Sequence, residues 1–166
     1  IRARLVGSEM CIRDSSDKYR LGGSALYQSF KLYGGATPDI DDANQFKVLF
    51  EATQELLDKD FIEALHDISD GGLITSLIEM ALCSNQGLDI NLDYSDKEQL
   101  VPKLFSEEIG LVIEVKNEKL ESVRNYLNEK ELFFENIAKK NDKKKININC
   151  FKAVSYTHLT LPTKVY

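Results

Sequence analysis

The stretch Leu73 to Ser84, LITSLIEMALCS, restricts this chain most, because apolar residues fall on almost every side of the helix it would form. A helix of that kind has to be covered on several sides. Ahead of it, Phe61 to Leu65 reads as a short strand, and His66-Asp67-Ile68-Ser69-Asp70-Gly71-Gly72 joins the two. The chain must therefore supply a sheet and further helices around one buried helix.

The neighbouring segments supply them. Phe46, Leu49, Phe50, Thr53, Leu56 and Leu57 recur at three- and four-residue spacing, which predicts a helix from about Ala43 to Lys59 capped by Asp41 or Asp42. Gly87 to Leu92 alternates as a strand, Asp96 to Leu104 reads as a short helix, and Gly110 to Val115 is a nearly continuous apolar strand. Asn117 to Glu129 is amphipathic through Leu120, Val123 and Leu127, and Leu132 to Ala138 and Ile146 to Phe151 complete the strands. The order β-α-β-β-α-β predicts a mixed sheet with helices packed on it, in the α/β or α+β class.

A hydrophobic content of 43% over 166 residues suits one domain with a proper core. The balance of 21 Lys+Arg against 27 Asp+Glu gives a formal charge of −6, which excludes broad nucleic-acid binding. No apolar run approaches the ~18 residues of a membrane-spanning helix. Three cysteines without a C-x-x-C pair, helped only by His66 and His158, supply neither a disulfide framework nor a zinc site, so a reducing, cytoplasmic setting is expected. The basic run Lys139, Lys140, Asn141, Asp142, Lys143, Lys144, Lys145 reads as a solvated loop between the last two strands, since no aromatic residues are interleaved for base stacking.

Both ends differ in character from the middle. Leu5 to Ser15, LVGSEMCIRDS, resembles the translation of a transposon-based sequencing adapter, and Val154 to Thr163, VSYTHLTLPT, resembles the translation of its reverse-oriented partner. Residues 1–15 and 154–166 are accordingly expected to be adapter-derived and not native, leaving one domain over residues 16–153. An ordinary tail and an ordinary C-terminal strand are the alternative, given the β-branched and aromatic content of Val154 to Leu161.

The turn His66 to Gly72 carries the chemistry. Glycines let a backbone approach a phosphate closely, and a helix N-terminus offers unpaired N–H groups. Asp67 can hold Mg²⁺, which commonly takes one or two protein carboxylates and completes its shell with water and phosphate oxygens. Ser69 can donate to a phosphate oxygen, while Asp70 suits a helix cap better than a ligand. The same residues also make an ordinary turn and cap, so the spacing alone leaves both readings open.

The strings LGGSALYQ (Leu21 to Gln28), PDIDD (Pro38 to Asp42), HDISDGGLITSLIEMAL (His66 to Leu82), GLDINL (Gly87 to Leu92) and LFSEEIGLVIEV (Leu104 to Val115) resemble the phosphoribosylformylglycinamidine synthase family, in the C-terminal part of the second synthetase-like module of its large, single-chain form. The resemblance implies a three-layer α/β/α domain with a mixed sheet, like the C-terminal domain of aminoimidazole ribonucleotide synthetase. It also implies ATP- and glutamine-dependent conversion of formylglycinamide ribonucleotide to formylglycinamidine ribonucleotide in purine biosynthesis, with Mg²⁺ and ATP or ADP as cofactors. Asp67 would be a metal ligand and Ser69 a nucleotide contact, with Gly71 and Gly72 shaping the phosphate-facing backbone. The nucleotide of this module resembles an auxiliary one, so no catalytic residue is assigned. An upstream ATP-binding half and a downstream glutaminase supplying ammonia would be the partners, with no nucleic acid and no membrane. Another synthetase of the superfamily, or a non-catalytic nucleotide-assisted assembly module, are the other readings.

Overall fold

The computed structural model describes residues 8–14, 18–92, 97–150 and 155–160. Seven strands form one sheet: β1 Ser8–Asp14, β2 Ala64–Asp67, β3 Gly87–Leu92, β4 Gly110–Lys116, β5 Glu135–Asn141, β6 Lys145–Cys150 and β7 Ser155–Thr160, in the order β2-β4-β1-β5-β3-β6-β7. Among the described residues only β3 and β6 run parallel; every other pair is antiparallel. The helices are α1 Ala25–Ser29, α2 Ala43–Asp58, α3 Gly72–Ser84, α4 Lys97–Phe105 and α5 Leu120–Glu129, the last preceded by a 3₁₀ turn at Asn117–Lys119.

Side-chain alternation along β4 divides the core in two. Val112 faces one layer with Leu73, Leu77 and Ala81 of α3 and Leu104 of α4, while Ile113 and Val115 face the other with Ala52 and Leu56 of α2 and Val123 and Leu127 of α5. This is the expected three-layer α/β/α arrangement with a mixed sheet. The α3 helix is enclosed along most of its length, with Leu77 and Ala81 fully buried, while Leu82 is exposed near its end. The stripe expected on α2 is split: Leu49, Thr53 and Leu56 are buried, but Phe46, Phe50 and Leu57 are exposed on its outer side.

Two expected strands start later than the sequence suggested, for one reason. Helices α2 and α5 end in a residue at positive φ, Asp60 (55°) and Glu131 (55°), whose successors Phe61 and Leu132 send their N–H groups back to Leu56 and Leu127. These are Schellman-type closures. The apolar residues that resembled strand starts are consumed in ending helices, and β2 and β5 begin only at Ala64 and Glu135. The basic run is also not a loop throughout: Lys139 and Lys140 belong to β5 and Lys145 opens β6, leaving Asp142 to Lys144 as the turn. Lys140 is drawn in because its Nζ meets the Glu114 carboxylate at 2.5 Å, both side chains being under one-tenth exposed.

Backbone pairing crosses both expected domain limits at residues 16 and 153. Ser8–Asp14 lies between β4 and β5, and Ser155–Thr160 pairs with β6 at the sheet edge.

Candidate functional site

Strand β2 carries His66 and Asp67 to its C-terminal end, where Asp67 opposes Leu111 of β4. The chain then turns sharply. Ile68 N–H donates to the Gly110 carbonyl and Gly72 N–H to that of Ser69, with Gly71 at φ 87° in the turn's third position, where positive φ favours glycine. The turn is tied to the helix that follows, since the Ser76 hydroxyl donates to the Asp67 carbonyl at 2.9 Å and that of Thr75 to the Gly71 carbonyl at 3.1 Å. His66 braces the outer side: its Nε2 lies 3.0 Å from the Glu79 carboxylate, and its Nδ1 lies 2.6 Å from the Asp67 carbonyl.

The two residues expected to meet a ligand are left facing solvent. The Asp67 side chain is 71% exposed, with His66 Nδ1 at 3.5 Å from one carboxylate oxygen, and Ser69 is exposed too. Asp70 does not cap α3; the cap position is Gly71, which has no side chain to offer.

A distant carboxylate supplies the cap instead. Glu107 accepts from Gly71 N–H at 2.9 Å and from Ala25 N–H at 2.8 Å, so it closes the N-termini of α3 and α1 at once. The cap amide ahead of α3 is therefore already held by an internal anion. Gly72 serves packing: a Cβ there would meet the backbone of Leu104, Phe105 and Ser106 at 2.7 to 2.8 Å. The structure places these chain contacts at Gly71 and Gly72, where a phosphate-facing backbone was expected.

Glu108, next in sequence, is only 3% exposed and holds Arg20 through two bonds of 2.7 Å, from Nε and one terminal nitrogen, while accepting from Arg20 N–H at 3.0 Å. The same guanidinium reaches Asp41 at 2.9 Å and the Asp39 carbonyl at 3.1 Å. Adjacent carboxylates thus fasten together the Leu21 to Gln28 segment, the acidic Pro38 to Asp42 loop and the Ser69 to Gly72 turn. Sequence reasoning missed both glutamates and Arg20; the glutamates' place inside the string Leu104 to Val115 was their one signal, and Arg20, just ahead of Leu21, had none.

The Asp41 carboxyl is held below the usual carboxylate range, first by the hydrogen bond from Lys18 and further by the Arg20 charge. A carboxyl lowered on folding stabilises above its unfolded value and loses that contribution as pH falls through the folded one. Melting temperature followed from pH 7 downward should drop more steeply below about pH 4 for the parent than for Asp41→Asn; parallel curves would remove Asp41 from the clamp.

Elsewhere, Cys83 is exposed near the end of α3 rather than enclosed with the helix, while the side chains of Cys11, Cys150 and His158 lie outside what is described. Among the described residues no group of three metal-ligating side chains gathers, and no helix is long and apolar enough to cross a membrane.

Comparison with known proteins fits this arrangement. The family model described as AIR synthase related protein, C-terminal domain, matches residues 6–150, starting inside the N-terminal segment set apart above. A probable phosphoribosylformylglycinamidine synthase, chloroplastic/mitochondrial, of Arabidopsis thaliana is 39% identical over 146 residues, which cover 88% of this chain and 10% of that protein. Among solved structures, Thermotoga maritima PurL complexed with FGAR is similar at a TM-score of 0.76 and 17% identity over 98% of this chain and 29% of that one. The same protein complexed with ATP gives 0.74 and 16%, over 95% and 25%. E. coli HypE, a hydrogenase maturation protein, gives 0.61 and 18%, over 99% and 52%. The chain spans about a tenth of the plant relative, and with the family model matching residues 6–150 and the three-layer arrangement it belongs to the family of AIR synthase related proteins, as their C-terminal domain.

Proposed function

We propose that this chain is a piece of a phosphoribosylformylglycinamidine synthase, a cytoplasmic ATP-dependent ligase that converts formylglycinamide ribonucleotide to formylglycinamidine ribonucleotide with glutamine-derived ammonia. The observation that carries the reading is the 39% identity over 146 residues to a relative bearing that name. The piece contributes one wall of a Mg²⁺–nucleotide site. An upstream ATP-binding half completes that site, and a downstream glutaminase supplies the ammonia.

The donor set fits such a site. One exposed carboxylate on a strand end, with an exposed hydroxyl two residues on, suits a cation that keeps most of its shell as water and phosphate oxygens. Asp67 would hold Mg²⁺ and Ser69 would donate its hydroxyl to a phosphate oxygen. When bound, the metal neutralises phosphate charge. The chain's own part is orientation: Ser76 fixes the Asp67 carbonyl, His66 braces the strand end against α3, and Glu107 holds Gly71 so that the turn keeps one shape.

In the complete synthase, Asp67→Ala should lose most of the nucleotide that copurifies with the protein, a fall of about tenfold or more in bound ADP or ATP per chain. Because Asp67 is exposed, the same change in this chain alone should shift stability by less than about 0.5 kcal/mol. Unchanged nucleotide content would end the assignment of Asp67.

A further inference from the structure

Ser69 lies between two anchors that come from one short stretch of chain. Ile68 N–H donates to the Gly110 carbonyl at 2.9 Å and Gly71 N–H to the Glu107 carboxylate at 2.9 Å, so residues 107–110 grip the turn on both sides of Ser69 and Asp70. Asp67 is held differently. It sits in β2 opposite Leu111, and its carbonyl accepts the Ser76 hydroxyl from α3. The two exposed side chains therefore owe their places to separate supports, and Glu107 serves that of Ser69.

Glu107 also reaches beyond the turn. The same carboxylate oxygen accepts from Ala25 N–H at 2.8 Å, which makes the Gly71 and Ala25 nitrogens neighbours. Ala25 follows a stiff stretch: the buried Ser24 hydroxyl donates to the Leu21 carbonyl at 2.7 Å, Gly22 N–H donates to the Ala36 carbonyl at 2.8 Å, and a Cβ at Gly22 would fall 2.5 Å from that carbonyl oxygen. One half-buried carboxylate thus joins the far end of the turn to a part of the fold with no room to yield. Bonds from backbone N–H groups to a carboxylate are stronger than those to a neutral acceptor.

We propose that Glu107 is a positioning residue for Ser69: by tying Gly71 to Ala25 it fixes where the Ser69 hydroxyl meets a nucleotide phosphate, while the place of Asp67 does not depend on it. The inference rests on Asp67 and Ser69 contacting Mg²⁺ and nucleotide, and it divides the turn into a metal-holding end and a phosphate-holding end. Without Glu107 the stretch from Ser69 to Gly71 is looser, and binding has to order it at a cost in affinity.

The test is calorimetric titration of the complete synthase, stripped of nucleotide, with ADP and Mg²⁺, read at the site that Asp67→Ala removes. Glu107→Ala should weaken ADP about tenfold, while the Mg²⁺ concentration for half-maximal binding moves by less than about twofold. Glu107→Gln, whose amide oxygen still accepts, should recover most of that loss. In a Ser69→Ala background, Glu107→Ala should add less than about twofold, because both changes remove the same contact. Should Glu107→Ala prevent folding, as judged by melting, Glu107→Asp takes its place, since its shorter side chain keeps the charge but cannot reach both N–H groups. A tenfold loss that persists in full in the Ser69→Ala background, or a parallel rise in the Mg²⁺ requirement, would make Glu107 a general support of the fold and overturn the proposal. So would unchanged or tighter ADP binding by Glu107→Ala where Ser69→Ala weakens it. If Asp67→Ala removes no site and Ser69→Ala binds ADP like the parent, the nucleotide reading fails and the proposal falls with it.

Discussion

Gly72→Ala is expected to destabilise this domain by about 3 kcal/mol or more, combining left-handed backbone strain with a rigid collision. Gly72 sits at φ 73°, and its missing Cβ would fall 2.7 Å from the Phe105 carbonyl carbon and the Ser106 carbonyl oxygen, atoms of backbone that cannot rotate away. Gly34 provides the control. It has φ 91° with nothing within 4 Å of a Cβ, so Gly34→Ala should cost about 1 kcal/mol from backbone strain alone. Urea unfolding of the two variants separates packing from conformation. Equal losses would mean that the segment from Leu104 to Ser106 yields, and would return Gly72 to the role of shaping a ligand-facing turn.

The second large effect is expected at Glu108. Replacing it by alanine removes two 2.7 Å bonds to the Arg20 guanidinium and one to its backbone N–H, inside a site where the carboxylate is 3% exposed. Breaking one partner of an enclosed pair costs more than the pair contributes, and here Arg20 loses its main partner and keeps only the more exposed Asp41 and the Asp39 carbonyl. A loss of about 3 kcal/mol, or roughly 10 °C in melting temperature, should follow for Glu108→Ala, with Glu108→Gln intermediate because one amide oxygen can still accept. The Arg20 guanidinium is held well above its usual protonation range by Glu108, so raising pH within the stable range cannot mimic the mutation. An alanine variant within 1 kcal/mol of the parent would make the clamp an exposed, replaceable contact.

The sequence disclosed those parts of the fold that rest on neighbours in the chain. Helix α2 was legible because its apolar spacing and the Asp42 cap are local; in the structure Asp42 accepts from the Asn44 and Gln45 N–H groups. Strand β3 was placed at its observed limits for the same reason. Helix ends were harder. Lys31, Asp60, Asn85 and Glu131 all take positive φ at the close of a helix, where glycine is the usual mark, so three of the four carried no signal and only asparagine hinted at one. The turn at Asp67 and Ser69 could be found, but the glutamates that shape it could not. Glu107 reaches the turn from 36 residues away and Ala25 from 82, Glu108 reaches Arg20 from 88, and an acidic pair ahead of an apolar strand reads as solvated charge. Lys140 was misread likewise, since only Glu114 across the sheet draws it inward.

The position of β1 also governs when the molecule can become whole. Its residues leave the ribosome ahead of both of its neighbours, and Ser8 must pair with Lys116 and Met10 with Ala138, so this strand waits for more than a hundred residues of synthesis before either flank is satisfied. At about 5 to 20 residues per second that is an interval of several seconds. Native structure dominated by such remote pairings forms slowly. During that interval β1 displays open edges on both sides, so the rate of translation and the supply of chaperones set the yield of folded protein as much as its final stability does.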